Sequence, residues 1–342
     1  MSRRAALQSY LLVRLLLAPL MLWTIVTVVF LLMRVAPGDP TDAILGNRAP
    51  ESAKNALREQ LGLNKPLFFQ YLDYIFHLMR LNLGDSLTSK GVTVWEIVVQ
   101  YFPATLELTF YGMLIAVMVG VGLGIITASR PNTLLDVGGR LFGLITYSLP
   151  IFWVGMLLQL IFAVQLRWFP LGTRFPLSET PPQAITGLYT FDSLITLQLD
   201  KLPTAFYYLA LPSFTLGVLL SGIFERMVRV HLKHTLQADY VDAAKARGIP
   251  EKTIMIAHAL KNALIPLITL FGLTFAALLA GAVLTEVTFS WPGLGNQLYR
   301  AISLRDYPTV QGLMETCSLI ISTIPISSII LATNPRWSRL LT

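Results

Sequence analysis

Between residues 15 and 33 the chain runs without a single charged residue. That length is close to the roughly 20 apolar residues a helix needs to cross hydrocarbon. The stretch has counterparts at 108–129, 141–166, 202–224, 262–285 and within 307–334. Backbone polar groups must be satisfied inside lipid, so each stretch is expected to be helical. The last is interrupted by Glu315, and Pro325 is expected to kink it. With 54% apolar and only 13% charged residues, against about a quarter charged in soluble domains, the chain lacks the polar surface of a soluble protein. The expected fold is all-α and polytopic, with six transmembrane helices.

Basic residues orient those spans. If Met1 lies inside, segments 1–14, 130–140, 225–261 and 335–342 hold 14 of the 26 Lys and Arg residues. Such enrichment marks the cytoplasmic side, so both termini are expected there. The basic residues sit between apolar runs, which speaks against a nucleic-acid patch. The single Cys317 excludes a disulfide framework or a cysteine metal cluster. The first apolar run is long for a signal peptide and is expected to stay as a helix; cleavage near Ala36 is the alternative. On the outer side, 50–61 and 66–81 read as short amphipathic helices, and 92–102 as a third near the interface.

The inner segment 225–261 carries the sharpest local pattern. Asp239 is placed to cap a short helix, Gly248 suits a left-handed stop, and Pro250 suits the first turn of a second helix. Ala243, Ala244 and Ala246 keep one face small. The pattern fits either an ordinary connector or a stiff docking element joined to the fifth span.

The same residues resemble the EAA loop of binding-protein-dependent ABC importer permeases, with Asp242-Ala243-Ala244 in place of Glu-Ala-Ala. Five further segments extend the resemblance over nearly the whole chain: Ala36-Pro37-Gly38-Asp39-Pro40, Pro103-Ala104-Thr105-Leu106-Glu107-Leu108, Leu149-Pro150-Ile151-Phe152-Trp153, Leu211-Pro212-Ser213-Phe214-Thr215-Leu216, and the run from Glu286 to Gly295 followed by Arg305-Asp306-Tyr307-Pro308. Together they are similar to the B-type permeases of the dipeptide, oligopeptide and nickel group. That resemblance implies the type I importer permease fold in a bacterial inner membrane, with an extracytoplasmic helical segment between helices 1 and 2. The implied divisions are 1–34 (first helix), 35–103 (extracytoplasmic), 104–334 (the transmembrane domain, with its coupling loop 225–261) and 335–342 (a cytoplasmic tail). It also implies a homologous C-type permease, two ATPase subunits and an extracytoplasmic substrate-binding protein as partners. Asp239, Tyr240, Asp242, Ala243, Ala244 and Gly248 would form the helix that seats in the ATPase. The ending Asn334-Pro335-Arg336, with Pro325, Ser327 and Ser328 before it, departs from the family pattern.

No Walker sequence or Gly-rich phosphate loop occurs, so ATP and Mg are expected on partner subunits, and the chain itself is expected to be non-catalytic and without a cofactor. Glu107 and Glu286 fall at outer span ends, where a hydrated carboxylate is cheap, and with Glu315 they are candidates for the translocation path. For Glu315 the alternative is a span that begins later, at Thr316. Gly120 with Gly124, and Ala277 with Gly281, form small-xxx-small pairs expected to pack within the chain. His231 and His234 read as a solvated face rather than a metal site. Peptides are the expected cargo. The alternatives are nickel chelates or other small solutes on the same architecture, or an ATP-independent secondary transporter.

Overall fold

The computed structural model describes residues 3–35, 39–46, 48–89 and 91–333. The Ala36-Pro37-Gly38 motif residues, the Asn334-Pro335-Arg336 ending and the tail lie outside them, as do the side chains of Pro325, Ser327 and Ser328. The chain folds as α1 (Arg3–Val35), α2 (Pro40–Leu45), α3 (Glu51–Gln60), α4 (Leu67–Met79), α5 (Val94–Ser129) and α6 (Leu134–Ser148). It continues through α7 (Ile151–Leu158), which runs into a π-helical segment at Gln159–Gln165, then α8 (Tyr189–Ile195) and α9 (Lys201–Thr235). Next come α10 (Asp239–Ala246), α11 (Glu251–Thr253), a second π segment (Ile254–Leu260), α12 (Lys261–Ala263) and α13 (Ile265–Leu279). The last helices are α14 (Val283–Thr288), α15 (Leu294–Ser303) and α16 (Tyr307–Thr333). No strand forms among the described residues.

Helices α1, α5 and α9 are each long and apolar enough to cross a membrane. The stretch expected as one span at 141–166 is instead broken, with α6 and the α7 segment meeting at 99°. Pro150 is the cause: the residue before a proline is pushed out of the helical region, and Leu149 sits at φ −83°, ψ 131°. A gentler bend of 48° separates α11–α12 from α13, beside Pro266, which has no N–H for the preceding turn.

The separate interfacial helix expected at 92–102 is also absent. Thr93 and Glu96 close a capping box, and α5 then runs unbroken through Pro103 to Ser129. Its first turns are already anchored, because Ile97 and Val98 are buried against Leu294 and Leu298. The main core lies where α5 crosses α9. There Gly120 backs onto Phe224 and the Ser221 carbonyl, and Gly124 onto Val228, so two backbones approach where side chains would hold them apart. The second small pair does not pack in this way. Ala277 is exposed, and Gly281 lies past the end of α13 with φ 145°.

Candidate functional site

The pattern around Gly248 forms a rigid hairpin. Helix α10 begins with Ala238 as N-cap, so Asp239 occupies the first helical position instead of capping. There its charge, with that of Asp242, favours the positive end of the helix. At the other end the Gly248 N–H donates to the Lys245 carbonyl (2.9 Å) and the Ile249 N–H to the Ala244 carbonyl (3.2 Å). This is a Schellman stop. It requires the left-handed φ of 73° found at Gly248. The apolar contact that accompanies such stops is present too, because Ile249 joins Val241, Ala244 and Ile254 in one small core.

That core decides which residues face outward. Asp239, Tyr240, Asp242, Ala243 and Gly248 are exposed, whereas Ala244 is turned inward. The small face expected to include Ala244 is therefore made by Ala243 and Ala246, and Ala244 instead glues the hairpin to the following segment. Asn262 donates to the Tyr240 hydroxyl at 3.1 Å. The hairpin is thus tied directly to the stem of α13.

At the opposite end of the bundle the acidic candidates are not hydrated. Glu107 is 3% exposed. Its Oε2 receives the Arg174 guanidinium (Nε 3.0 Å, Nη2 2.5 Å), and its Oε1 receives the Thr190 N–H and hydroxyl (2.8 and 2.7 Å). Arg174 also stacks over Tyr189. Glu286 is fully buried: Thr105 donates to Oε1 (2.6 Å), and the Asn296 N–H at the start of α15 donates to Oε2 (2.9 Å). Burial pushes its carboxyl up to about 7, against the lowering effect of those donors. Glu315, two turns into α16, accepts from the Tyr74 hydroxyl of α4. Asp306 gathers Ser86 (2.5 Å), the Leu87 and Thr88 N–H groups, the Thr88 hydroxyl and the Thr309 N–H. Burial alone would raise Asp306, but these donors outweigh it and hold it below the usual range.

A buried ion network in α6 and α9 escaped the sequence reading, which ended the fourth span at residue 224. Glu225 lies well inside α9 and is fully buried. It accepts from Arg229 (2.9 Å) and Thr127 (3.1 Å), while Asp136 of α6 accepts from Lys233 (2.9 Å). The i, i+4 spacing of Glu225, Arg229 and Lys233 was the available signal. His231 and His234 belong to no cluster of metal-ligating residues among the described residues.

Two cavities open beside α9. One, of about 770 Å³, is lined by Gln159, Thr173, Ser178, Tyr208, Thr288 and Ser290 among others, with no ionisable acid or base apart from the tyrosine. The other, of about 600 Å³, is aromatic, with Tyr111, Phe162, Trp168, Phe169, Phe206 and Phe214 in its wall.

Comparison with known proteins adds a consistent finding. Residues 120–339 match the profile of the binding-protein-dependent transport system inner membrane component, and residues 7–109 match the N-terminal profile of such membrane components. A di/tripeptide transport system permease protein of Pseudomonas aeruginosa is 43% identical over 296 residues, 85% of this chain and 87% of the relative. Dipeptide transport system permease proteins of Alkalihalophilus pseudofirmus and Escherichia coli are 39% and 36% identical, each covering 90% of this chain and 92% of the relative.

Proposed function

The chain belongs to the family of binding-protein-dependent transport system inner membrane components, and from that premise we propose how it works as a permease subunit of an ABC importer for di- and oligopeptides. It is a multi-pass protein of the inner membrane. Six spans are inferred: α1, α5, the bent α6–α7 pair, α9, the bent pair ending in α13, and α16. Both termini then lie in the cytoplasm, and residues 35–103 form the extracytoplasmic segment. A homologous permease supplies the other half of the path, two ATPase subunits bind ATP and Mg, and an extracytoplasmic binding protein delivers the peptide. The chain itself moves cargo without chemistry.

One observation carries the coupling role. Helix α10 offers an outward face of Asp239, Tyr240, Asp242 and Ala243, while Val241 and Ala244 fix it to the segment that becomes α13. A push on that face is delivered to a span, since hairpin and stem share a core and the Tyr240–Asn262 hydrogen bond. Glu107 and Glu286 stand as anchors of the outer wall, because both oxygens of each are engaged within the chain. The uncharged polar cavity beside Tyr208 is the better candidate for a stage of the path, and Glu315 of α16 does not line it.

Uptake of labelled di- and tripeptides into vesicles, with the chain reconstituted beside its ATPases, companion permease and binding protein, tests the reading. ATP-dependent uptake that stops when the ATPases are omitted is expected. Uptake that persists without them identifies a secondary transporter instead.

A further inference from the structure

Helix α4 leaves an apolar face without a partner among the described residues. It docks through Tyr71, whose hydroxyl pairs with Thr27 (2.7 Å), through Tyr74, which bonds Glu315 and stacks on Phe30, and through Gln70, which accepts from Arg34 (2.8 Å). Both of its deep contacts lie within helices inferred above to be spans. Thr27 is eight residues before the end of α1, and Glu315 is eight residues after the start of α16. At 1.5 Å per residue each lies about 12 Å in from its helix end.

Two sectors of α4 face away from its docking side, with exposed Phe69 at their boundary. Phe68, Leu72, Phe76 and Met79 recur at i, i+4, i+8 and i+11 and are all exposed. Asp73, His77 and Arg80 form an adjoining polar edge. Lys65 pairs with Asp73 at 2.6 Å, and Arg80 folds back over the Phe76 ring at 4.0 Å. The apolar sector also continues a neighbouring surface. On α1, Val28, Leu31, Leu32 and Val35 are exposed beside the Thr27–Phe30–Arg34 strip that carries α4.

We propose that α4 is an interfacial helix, its Phe68–Leu72–Phe76–Met79 stripe immersed in the acyl-headgroup boundary of the leaflet at the C-terminal end of α1. This rests on the reading of α1 as a span. The polar edge then meets water, and Arg80 reaches the headgroups along its aliphatic stem. The amphipathic helix read at 66–81 is then a lipid-bound buttress of the first and last spans.

Spin labels on single cysteines, with buried Cys317 and any cysteines of the partner subunits replaced, test the assignment in the assembled transporter in lipid bilayers. Labels at Leu72 and Phe76 are expected to collide readily with oxygen and poorly with a water-soluble nickel chelate, and labels at Asp73 and His77 to show the reverse. Chelate access at Leu72 and Phe76 equal to that at Asp73 would overturn the proposal by placing the stripe in water. Shielding of Leu72 and Phe76 from both relaxants would overturn it by placing a protein partner there. A defect of α1 as a span would appear separately, as chelate access along Val28 and Leu31.

Discussion

Arg174 grips Glu107 with two nitrogens on one carboxylate oxygen, while Thr190 occupies the other. Through this pair the connection between α7 and α8 is fastened to α5. Removing one partner of a buried pair leaves an uncompensated charge, at a cost of roughly 3–5 kcal/mol, whereas removing both together can be close to neutral. Arg174→Met is therefore expected to lower thermal stability sharply, and the double variant with Glu107→Gln to recover much of it. Equal losses in single and double variants, read by thermal unfolding in detergent, would argue against a coupled pair.

Gly248 separates backbone strain from steric crowding. A Cβ added there meets nothing within 4 Å among the described residues, so a defect is expected from its φ of 73° or from a partner. A β-branched residue in that region costs about 1–2 kcal/mol, while Asn tolerates it. Gly248→Val and Gly248→Trp are expected to insert normally yet hydrolyse ATP without matching peptide uptake, with Gly248→Asn closer to the native ratio. Normal transport by the Trp variant would remove the lever assignment.

The bond from Asn262 to the Tyr240 hydroxyl has a cleaner probe. Tyr240→Phe keeps the ring and deletes the contact, worth about 0.5–1.5 kcal/mol. Peptide delivered per ATP hydrolysed is expected to fall about twofold to tenfold, by the same figure. An unchanged stoichiometry assigns the transmission to the Val241–Ala244–Ile254 core alone.

Glu286 gives a pH signature with a definite sign. Its folded carboxyl is raised to about 7 from an ordinary 4.5, so the folded state holds its proton more tightly than the unfolded state. The stabilisation is complete below about pH 4.5 and is lost as pH rises through about 7. Glu286→Gln, which keeps an acceptor for Thr105, is expected to flatten the melting temperature across that window. A slope unaltered by the substitution would assign the pH dependence to other groups.

The long apolar helices α1, α5 and α9 were legible, because a charge-free run such as 15–33 has only one cheap environment. The left-handed stop at Gly248 was legible for a similar reason: few residues adopt that conformation, so glycine advertises it. What escaped depended on neighbours distant in sequence. The bend at Leu149 follows from Pro150, yet the composition of 141–166 reads as a straight span. Glu225 was left outside the fourth span because its compensating Thr127 comes from another helix and its Arg229 looked like loop charge. Ala244 looked equivalent to Ala243 until Ile249 and Ile254 showed which one points inward. Glu107 illustrates the same limit, since Arg174 lies 67 residues away.

Four buried acids at the end of the bundle opposite α10 have a consequence for the cargo. Glu107, Asp192, Glu286 and Asp306 each have both oxygens occupied by donors of their own chain. None of these four is left to attract a cationic side chain or repel an acidic one from close range. These four therefore add little dependence on a peptide's net charge at this wall. As far as these four side chains go, charged and neutral cargo meet the same surface.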